Sequence, residues 1–407
     1  MFNSKKIYRT LLICAVLLSH AAGISVLAQT SDTGSTTVTI ISPYKDVDWE
    51  NFGQFKTALH VHSTNSDGHS ITSQVIEEHY AKGYDIVALT DHNYLTKNWE
   101  QADKGPMTAE RKAEINAGVG RDGRGLIGID NTTEHSRTDH LNAFFADCTS
   151  ESGQSPETIL AAVESLGGIT RLNHPGRYTR AHRPIFDGNA DNQGGINISK
   201  SPSVVTKYVG LFMSFPSCVG MEIINKLDNE SAADRVLWDS ILIRTMRYGR
   251  PVWGFADDDS HNQEGIGYAW NVMLMSCLEQ DNFRNVMETG AFYAVSRVSR
   301  LDDINAHLPD GGRTPSWGRA STEFMLSQST PSIVNIVVDE KSGSITITGA
   351  DYDVIEWIAD GEVIASGKTL SLHDHREKIN NYVRAQLKSS TGIAFTQPFG
   401  IRTTSSR

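Results

Sequence analysis

Histidines and carboxylates recur in short motifs along the first two thirds of this 407-residue chain. Imidazole nitrogens and carboxylate oxygens suit Zn, Mn or Fe, and the sequence lacks the paired thiolates typical of a structural zinc site. One histidine alone is most often an ordinary core or surface residue, but the joint pattern predicts a catalytic site for more than one metal ion. The motifs are His60-Val61-His62, Ser66-Asp67-Gly68, Thr90-Asp91-His92-Asn93, Asp139-His140-Leu141-Asn142, Asn173-His174-Pro175 and Asp259-Ser260-His261.

The elements around these motifs follow a repeated order of helix, strand and candidate ligand. A helix from Ser73, with Ser73 as its N-cap, is predicted to end at Gly83, and the apolar strand 84–90 then leads to His92. The order returns as helix 156–166, strand 169–172 and His174, and again as helix 234–248, strand 252–256 and Asp259. His60 and His62 lie two apart on a strand predicted near 55–61, so both imidazoles point to one face. Repeated units of this kind predict an α/β barrel with its functional groups at the C-terminal ends of the strands.

Composition changes along the chain predict its domain organisation. Residues 1–28, with Lys5, Lys6 and Arg9 before a short apolar run, are typical of a signal peptide, and 29–50 of a leader. Residues 51–300 are predicted to form the barrel and 301–331 a linker. The alternating runs in 332–407 predict a small β-sandwich. We therefore expect an exported protein, periplasmic or secreted, without a membrane anchor.

Charge and cysteine content limit the possible partners. Removal of residues 1–28 would leave 34 basic and 48 acidic residues, a net charge of −14 that repels long nucleic acids. A small-molecule substrate is favoured instead. Cys148, Cys218 and Cys277 would remain, an odd number that gives no disulfide framework, and all three are predicted to be buried apolar residues.

The motifs resemble those of the PHP family, named for its polymerase and histidinol phosphatase members. The resemblance covers about 56–262 and implies a distorted (β/α)7 barrel that holds two or three divalent metal ions (Zn, Mn or Fe). In the family's order, the implied ligands are His60, His62, Asp67, His92, Glu134, His140, His174, Asp259 and His261.

One ligand position has two candidates. The family's Gly-x-Glu pattern aligns with Gly128-Ile129-Asp130, whereas Glu134 supplies the expected glutamate slightly later. Glu134 is favoured, and Asp130 remains the alternative, as a ligand or as a residue that hydrogen-bonds a ligating imidazole. Asp257 and Asp258 leave a similar ambiguity around Asp259, and Asp91 is expected to pack away from the metals.

The resemblance implies metal-activated water as the nucleophile, with a phosphoesterase acting on a small phosphorylated substrate as the favoured function. Arg177, with Arg180 nearby, could bind a substrate anion, and Asn93 is a weaker candidate. His174 or His261 could protonate a leaving group, although ligation is the default role of both.

Two other functions remain open. Trp270-Asn271, Gly290-Ala-Phe-Tyr293 and Tyr382-Val-Arg-Ala385 resemble secreted relatives of carbaryl hydrolase, which implies hydrolysis of a carboxylic ester, amide or carbamate. A non-catalytic binding protein is the third possibility, although the full set of ligands disfavours it.

Overall fold

The computed structural model describes residues 36–178, 198–226, 231–297 and 326–405, and these form a mixed α/β fold. The predicted signal peptide, most of the predicted linker and Arg180 lie outside the described residues. The helices are α1 (Thr72–Ala81), α2 (Ala109–Asn116), α3 (Pro156–Ser165), α4 (Pro202–Ser214), α5 (Ala232–Thr245) and α6 (Gln280–Thr289). The prediction of an α/β fold is confirmed.

The strands divide at about residue 300. Those before it are β1 (Thr36–Ile41), β2 (Gly53–Ala58), β3 (Ile86–Val87), β4 (Ile127–Gly128), β5 (Thr133–His135), β6 (Leu141–Phe144), β7 (Ile169–Leu172), β8 (Cys218–Asn225), β9 (Trp253–Asp257), β10 (Ala269–Met275) and β11 (Phe292–Ser296). Those after it are β12 (Ser332–Asp339), β13 (Ser344–Ala350), β14 (Val354–Ala359), β15 (Glu362–Ser366), β16 (Thr369–Ser371), β17 (Tyr382–Ser389), β18 (Gly392–Thr396) and β19 (Phe399–Ser405).

Two sheets position the candidate ligands. In one, β2, β3 and β4 are parallel, β10 pairs antiparallel with β2, and β11 pairs antiparallel with β10. In the other, β5, β6 and β7 are antiparallel, and β7, β8 and β9 are parallel. Isolated bridges from Val61 to Ser260 and from His92 to Glu134 join the two sheets where the ligand-bearing segments leave their strands. The ends of strands from both sheets therefore meet.

Local sequence explains where the helices begin and end. Ser155 accepts a hydrogen bond from the Thr158 amide and caps α3, whose buried Ile159 and Val163 face inward. The prediction of Ser73 as a cap is wrong, because α1 begins at Thr72 and Ile71 holds the cap position without a side-chain bond. Gly83 follows α1 with φ +77°, a conformation that favours glycine.

The C-terminal strands are continuous with the first sheet. β18 pairs with β11, β17 lies between β18 and β19, and β14 and β15 extend from β17. A separate sheet of β12, β13 and β16 places Ile333 and Ile345 in the same hydrophobic core as Trp357 and Leu387. This hydrogen bonding across the predicted domain boundary is a feature that the composition change did not indicate.

The cysteine prediction is wrong in part. Cys218 is buried on β8, but Cys148 is half-buried and Cys277 is exposed in the turn between β10 and α6. Asn282 donates a hydrogen bond to the Cys277 sulfur at 2.8 Å, a polar contact that replaces the expected apolar one. Among the described residues, no helix combines the length and the apolar character that crossing a membrane requires.

Candidate metal centre

The nine predicted ligands come together at the junction of the two sheets. His60 and His62 follow β2, Asp67 lies in the next loop, and His92 follows β3. Glu134 lies on β5 and His140 directly before β6, while His174 follows β7 and Asp259 and His261 follow β9. Their ligating atoms form four overlapping groups, in each of which all atoms lie within 4.8 Å of one another. The structure therefore places every predicted ligand in one cluster.

Glu134 lies at the centre of this cluster and is fully buried. Its two oxygens face imidazoles that come from four different segments of the chain. Oε1 lies 3.2 Å from His60 Nε2, 3.0 Å from His140 Nδ1 and 3.7 Å from His174 Nε2, and Oε2 lies 2.7 Å from His92 Nδ1 and 3.5 Å from His62 Nε2. A carboxylate in this position would hold metal ions together with the surrounding imidazoles.

Asp259 and Asp67 complete the cluster. Asp259 Oδ1 lies 3.0 Å from His62 Nε2 and 3.4 Å from His60 Nε2. Asp67, which is more exposed, lies 3.3 Å from His261 Nε2 and 3.6 Å from His92 Nε2. The cluster thus has a buried part around Glu134 and a more accessible part around Asp67.

Several of these atoms are buried without a hydrogen-bond partner. They include His60 Nε2, His62 Nε2, His92 Nδ1 and Glu134 Oε2. A buried polar atom without a partner costs about 1–3 kcal/mol, so four at one point would strongly destabilise the fold. Nitrogen and carboxylate donors fit the first-row divalent metals, and bound metal ions would satisfy these atoms. The residues present therefore fit a metal centre.

The electrostatics of the cluster keep its carboxylates ionised. Burial raises the pKa of Glu134, but the charge of His60 and hydrogen bonds from His140 and His174 outweigh it and hold the pKa well below its usual value. Burial also raises the pKa of Asp259, but the charge of His60 and a hydrogen bond from His62 outweigh it and hold this pKa well below its usual value. Burial lowers the pKa of His174 and His261. Burial opposes protonation of His60 and His92, but Asp259 and Glu134 beside His60, and Glu134 beside His92, outweigh it and raise the pKa of both imidazoles. Because metals bind ionised carboxylates and neutral imidazoles, a metal ion would displace a proton from these two histidines.

Unusual backbone conformations direct these side chains inward. His174 has φ +29° and Asp259 has φ +46°, and Lys226, directly after β8, has φ +55°. Residues other than glycine seldom adopt positive φ, and such residues cluster at functional sites. The chain therefore turns sharply just after β7, β8 and β9, beside the cluster.

The structure separates the candidates that the sequence left ambiguous. Asp130 lies outside the cluster, where its carboxylate accepts a hydrogen bond from Gln280 Nε2 at 3.1 Å, whereas Glu134 lies at the centre. Asp257 accepts from Arg171, and Asp258 accepts from the Tyr84 hydroxyl. Only Asp259 of these three aspartates is among the grouped ligating atoms of the described residues.

Asp91 packs away from the cluster, in the position expected for it. Its carboxylate accepts hydrogen bonds from the Ser63 amide and the Ser66 hydroxyl, both at 2.7 Å. Since Asp67 follows directly, Asp91 holds the loop that presents Asp67.

The predicted anion-binding residues have different surroundings. Arg177 Nη2 lies 3.9 Å from Asp259 Oδ2 and 3.3 Å from Asn225 Oδ1. Asn93 is occupied elsewhere, because its amide bonds to Ser136 and Ser150 and thereby fixes the end of β5.

Sequence reasoning missed two charged residues beside the cluster. Lys226 Nζ lies 3.2 Å from Asp259 Oδ2, and its side chain is 43% exposed. Glu222, fully buried on β8, accepts a hydrogen bond from His60 Nδ1 at 2.7 Å. A lone glutamate in the apolar run 219–224 was the available signal for Glu222. Lys226 carried no signal beyond its place after a strand.

No family model matches the chain, and no curated protein matches it. Its structure is similar to a two-domain protein from Bacteroides vulgatus that contains a predicted PHP-like metal-dependent phosphoesterase, at 14% identity and a TM-score of 0.42 over 89% of this chain and 90% of that one. It is also similar to an amidohydrolase from Chromobacterium violaceum with bound sulfate (15% identity, TM-score 0.31, 51% and 87% covered). A lesion-specific endonuclease from Pyrococcus furiosus is similar at 13% identity and a TM-score of 0.34, with 58% and 56% covered.

Proposed function

We propose that this chain is a metal-dependent phosphoesterase of the PHP family that hydrolyses a small phosphorylated substrate. The observation that carries the proposal is the buried Glu134 carboxylate among five imidazoles, several of whose facing atoms lack a hydrogen-bond partner. The proposal includes the nine clustered residues as ligands. It also includes closure of the two sheets into a distorted (β/α)7 barrel and a β-sandwich formed by the C-terminal strands.

Bound divalent ions, two or three in number, would activate water and polarise the phosphoryl oxygens. The chain's own contribution is to hold the ligands in place and to exclude bulk water from the buried side. His261 donates Nδ1–H to the Asp259 carbonyl at 2.8 Å, which leaves Nε2 facing Asp67 as a ligand. The His174 side chain is almost fully buried in the cluster, so metal ligation is also its proposed role.

Two cationic side chains beside the cluster favour a phosphorylated substrate over a neutral ester. Arg177 and Lys226 both approach Oδ2 of Asp259, the oxygen that faces away from the imidazoles. Both side chains are partly exposed, at 28% and 43%. A dianionic phosphate placed at the cluster would lie within reach of both, and charge-assisted hydrogen bonds to it are stronger than those to a carbonyl oxygen.

Export and substrate size complete the proposal. The basic and apolar pattern of residues 1–28 supports export to the periplasm or beyond. The acidic balance of the remaining chain supports a small substrate rather than a long nucleic acid.

The test compares hydrolysis of nitrophenyl phosphate and of a nitrophenyl carboxylic ester by the metal-loaded protein and by its His60→Ala/His62→Ala variant. We expect phosphate release that requires metal and is lost in the variant. Cleavage of the ester alone would move the function to the carboxylic ester, amide or carbamate class. Bound metal without either activity would contradict hydrolysis of both model substrates and favour a binding protein.

A further inference from the structure

Glu222 contacts two candidate ligands that come from different sheets. Its Oε1 accepts from His60 Nδ1 at 2.7 Å, and its Oε2 accepts from the backbone amide of His174 at 2.9 Å. His60 follows β2 of the first sheet, whereas β8, which carries Glu222, and β7, which leads to His174, belong to the second. One buried carboxylate thus fixes an imidazole ring on one side and a backbone turn on the other.

The contact with His60 determines which ring nitrogen faces the cluster. With Nδ1 bonded to Glu222, Nε2 points at Glu134 and Asp259, at 3.2 and 3.4 Å. A carboxylate that accepts from the outer nitrogen of a ligating histidine fixes its tautomer and ring orientation and strengthens it as a ligand. The contact with His174 stabilises the residue whose φ of +29° turns its imidazole inward.

Glu222 is itself held in place from behind. Arg171, fully buried on β7, lies 3.2 Å from Glu222 Oε1 and 2.6 Å from Asp257 Oδ2. Asn225 donates to Glu222 Oε2 at 2.9 Å and lies beside both Arg177 and Asp259. Three hydrogen bonds and one ion pair therefore hold the Glu222 carboxylate in place.

We propose that Glu222 is the positioning residue of the metal centre, which sets His60 and His174 in ligating geometry from the two sheets at once. The inference rests on the proposed metal-dependent function. It predicts that Glu222 controls metal affinity without touching the metal.

The test measures the dissociation constant for Zn²⁺ by competition with a chromophoric chelator. Glu222→Gln removes the charge that His60 contacts, and we expect a dissociation constant raised about 10- to 100-fold. Glu222→Asp retains the charge beside Arg171 but shortens the side chain by one methylene, so it preserves folding better while losing the close contact with His60. We expect a weaker affinity in this variant too.

Asp239→Asn is the matched control, because Asp239 is also a buried carboxylate paired with an arginine, Arg384, away from the cluster. It should leave Zn²⁺ affinity unchanged although it lowers stability. If wild type binds Zn²⁺ and both Glu222 variants bind it equally tightly, the inference is wrong while the proposed function stands. If wild type binds none of Zn²⁺, Mn²⁺ and Fe²⁺, the proposed function itself fails. A loss of affinity in Asp239→Asn as large as that in Glu222→Gln would show a general effect of destabilisation and overturn the positioning role.

Discussion

Two buried clusters of charged residues in the described part of the protein, around Asp239 and around Glu134, differ in how their polar atoms are satisfied. Around Asp239, Arg384 donates to both carboxylate oxygens at 2.8 and 2.6 Å, and the Tyr382 hydroxyl donates at 2.9 Å. Around Glu134, imidazole nitrogens and carboxylate oxygens face each other at 2.7 to 3.7 Å, and several lack a hydrogen-bond partner. The Asp239 cluster joins α5 to β17, across the predicted domain boundary.

The difference separates a structural role from a binding role. Buried charges that complete each other's hydrogen bonds need nothing further and hold two parts of the fold together. Buried ligating atoms that lack hydrogen-bond partners destabilise the fold, and a bound cation would remove this free-energy cost. Changes in the two clusters should therefore affect different properties.

The largest expected effect follows from Glu134→Gln. Replacing the central carboxylate removes the charge shared by the surrounding imidazoles, so metal affinity should fall by more than about a hundredfold. Equilibrium dialysis with elemental analysis measures this directly. Asp130→Asn is the control, since Asp130 bonds to Gln280 outside the cluster, and it should bind metal as wild type does. Equal losses in the two variants would contradict the central position of Glu134.

Asp239→Asn should have the opposite profile. Breaking a buried ion pair leaves Arg384 uncompensated, and the free energy of unfolding should fall by about 3–5 kcal/mol. Urea titration measures the loss, and metal affinity should not change. Glu288→Gln, which breaks an exposed pair with Arg284, should cost less than about 1 kcal/mol. A similar small cost for Asp239→Asn would refute the structural role.

His79 tests a buried histidine outside both clusters. Burial lowers its pKa from 6.5 to about 4 in the folded state, and its Nδ1 bonds to the Val75 carbonyl. As the pH falls, His79 is protonated near pH 6.5 in the unfolded chain but only near pH 4 in the folded protein. The folding stability that depends on neutral His79 is therefore complete above pH 6.5, and about 3 kcal/mol of it is lost as the pH falls to 4. The difference in unfolding free energy between wild type and His79→Leu, measured from pH 7.5 to 4, should therefore change with this sign. A flat difference would disprove the shift.

The smallest effect is expected for Lys226→Met. Loss of one charge-assisted hydrogen bond should raise KM for nitrophenyl phosphate about tenfold and leave kcat for a neutral ester unchanged. Lys97→Met, at an exposed lysine near Asp147, is the matched control and should have no effect. An unchanged KM in Lys226→Met would remove Lys226 from the phosphate site.

Short spacings in the sequence predicted which side chains cluster better than they predicted the elements between them. The pairs His60/His62 and Asp259/His261 lie at strand ends, where local periodicity gives both the element and the direction of the side chain. The strand predicted over 84–90 is only Ile86–Val87, since the Thr90 amide bonds instead to the Val61 carbonyl in the loop after β2. Pairing between residues so far apart in the sequence produces no periodic pattern from which it could be predicted.

Glu222 and the Asp239–Arg384 pair could not be predicted for the same reason. Glu222 is separated from His60 by 162 residues, and Asp239 from Arg384 by 145. Their partners are determined by sheet order, and a sequence without the fold does not give that order. The pairing of β18 with β11 was missed because composition records a change of region but not the hydrogen bonds across it.

If the cluster around Glu134 binds metal ions, thermal unfolding of wild type should differ between excess Zn²⁺ and excess chelator. Binding to the folded state alone, with free metal at about a thousand times its dissociation constant, adds about 4 kcal/mol of stability. We predict a clear rise in Tm that chelator reverses. An identical Tm with metal and with chelator would contradict the account.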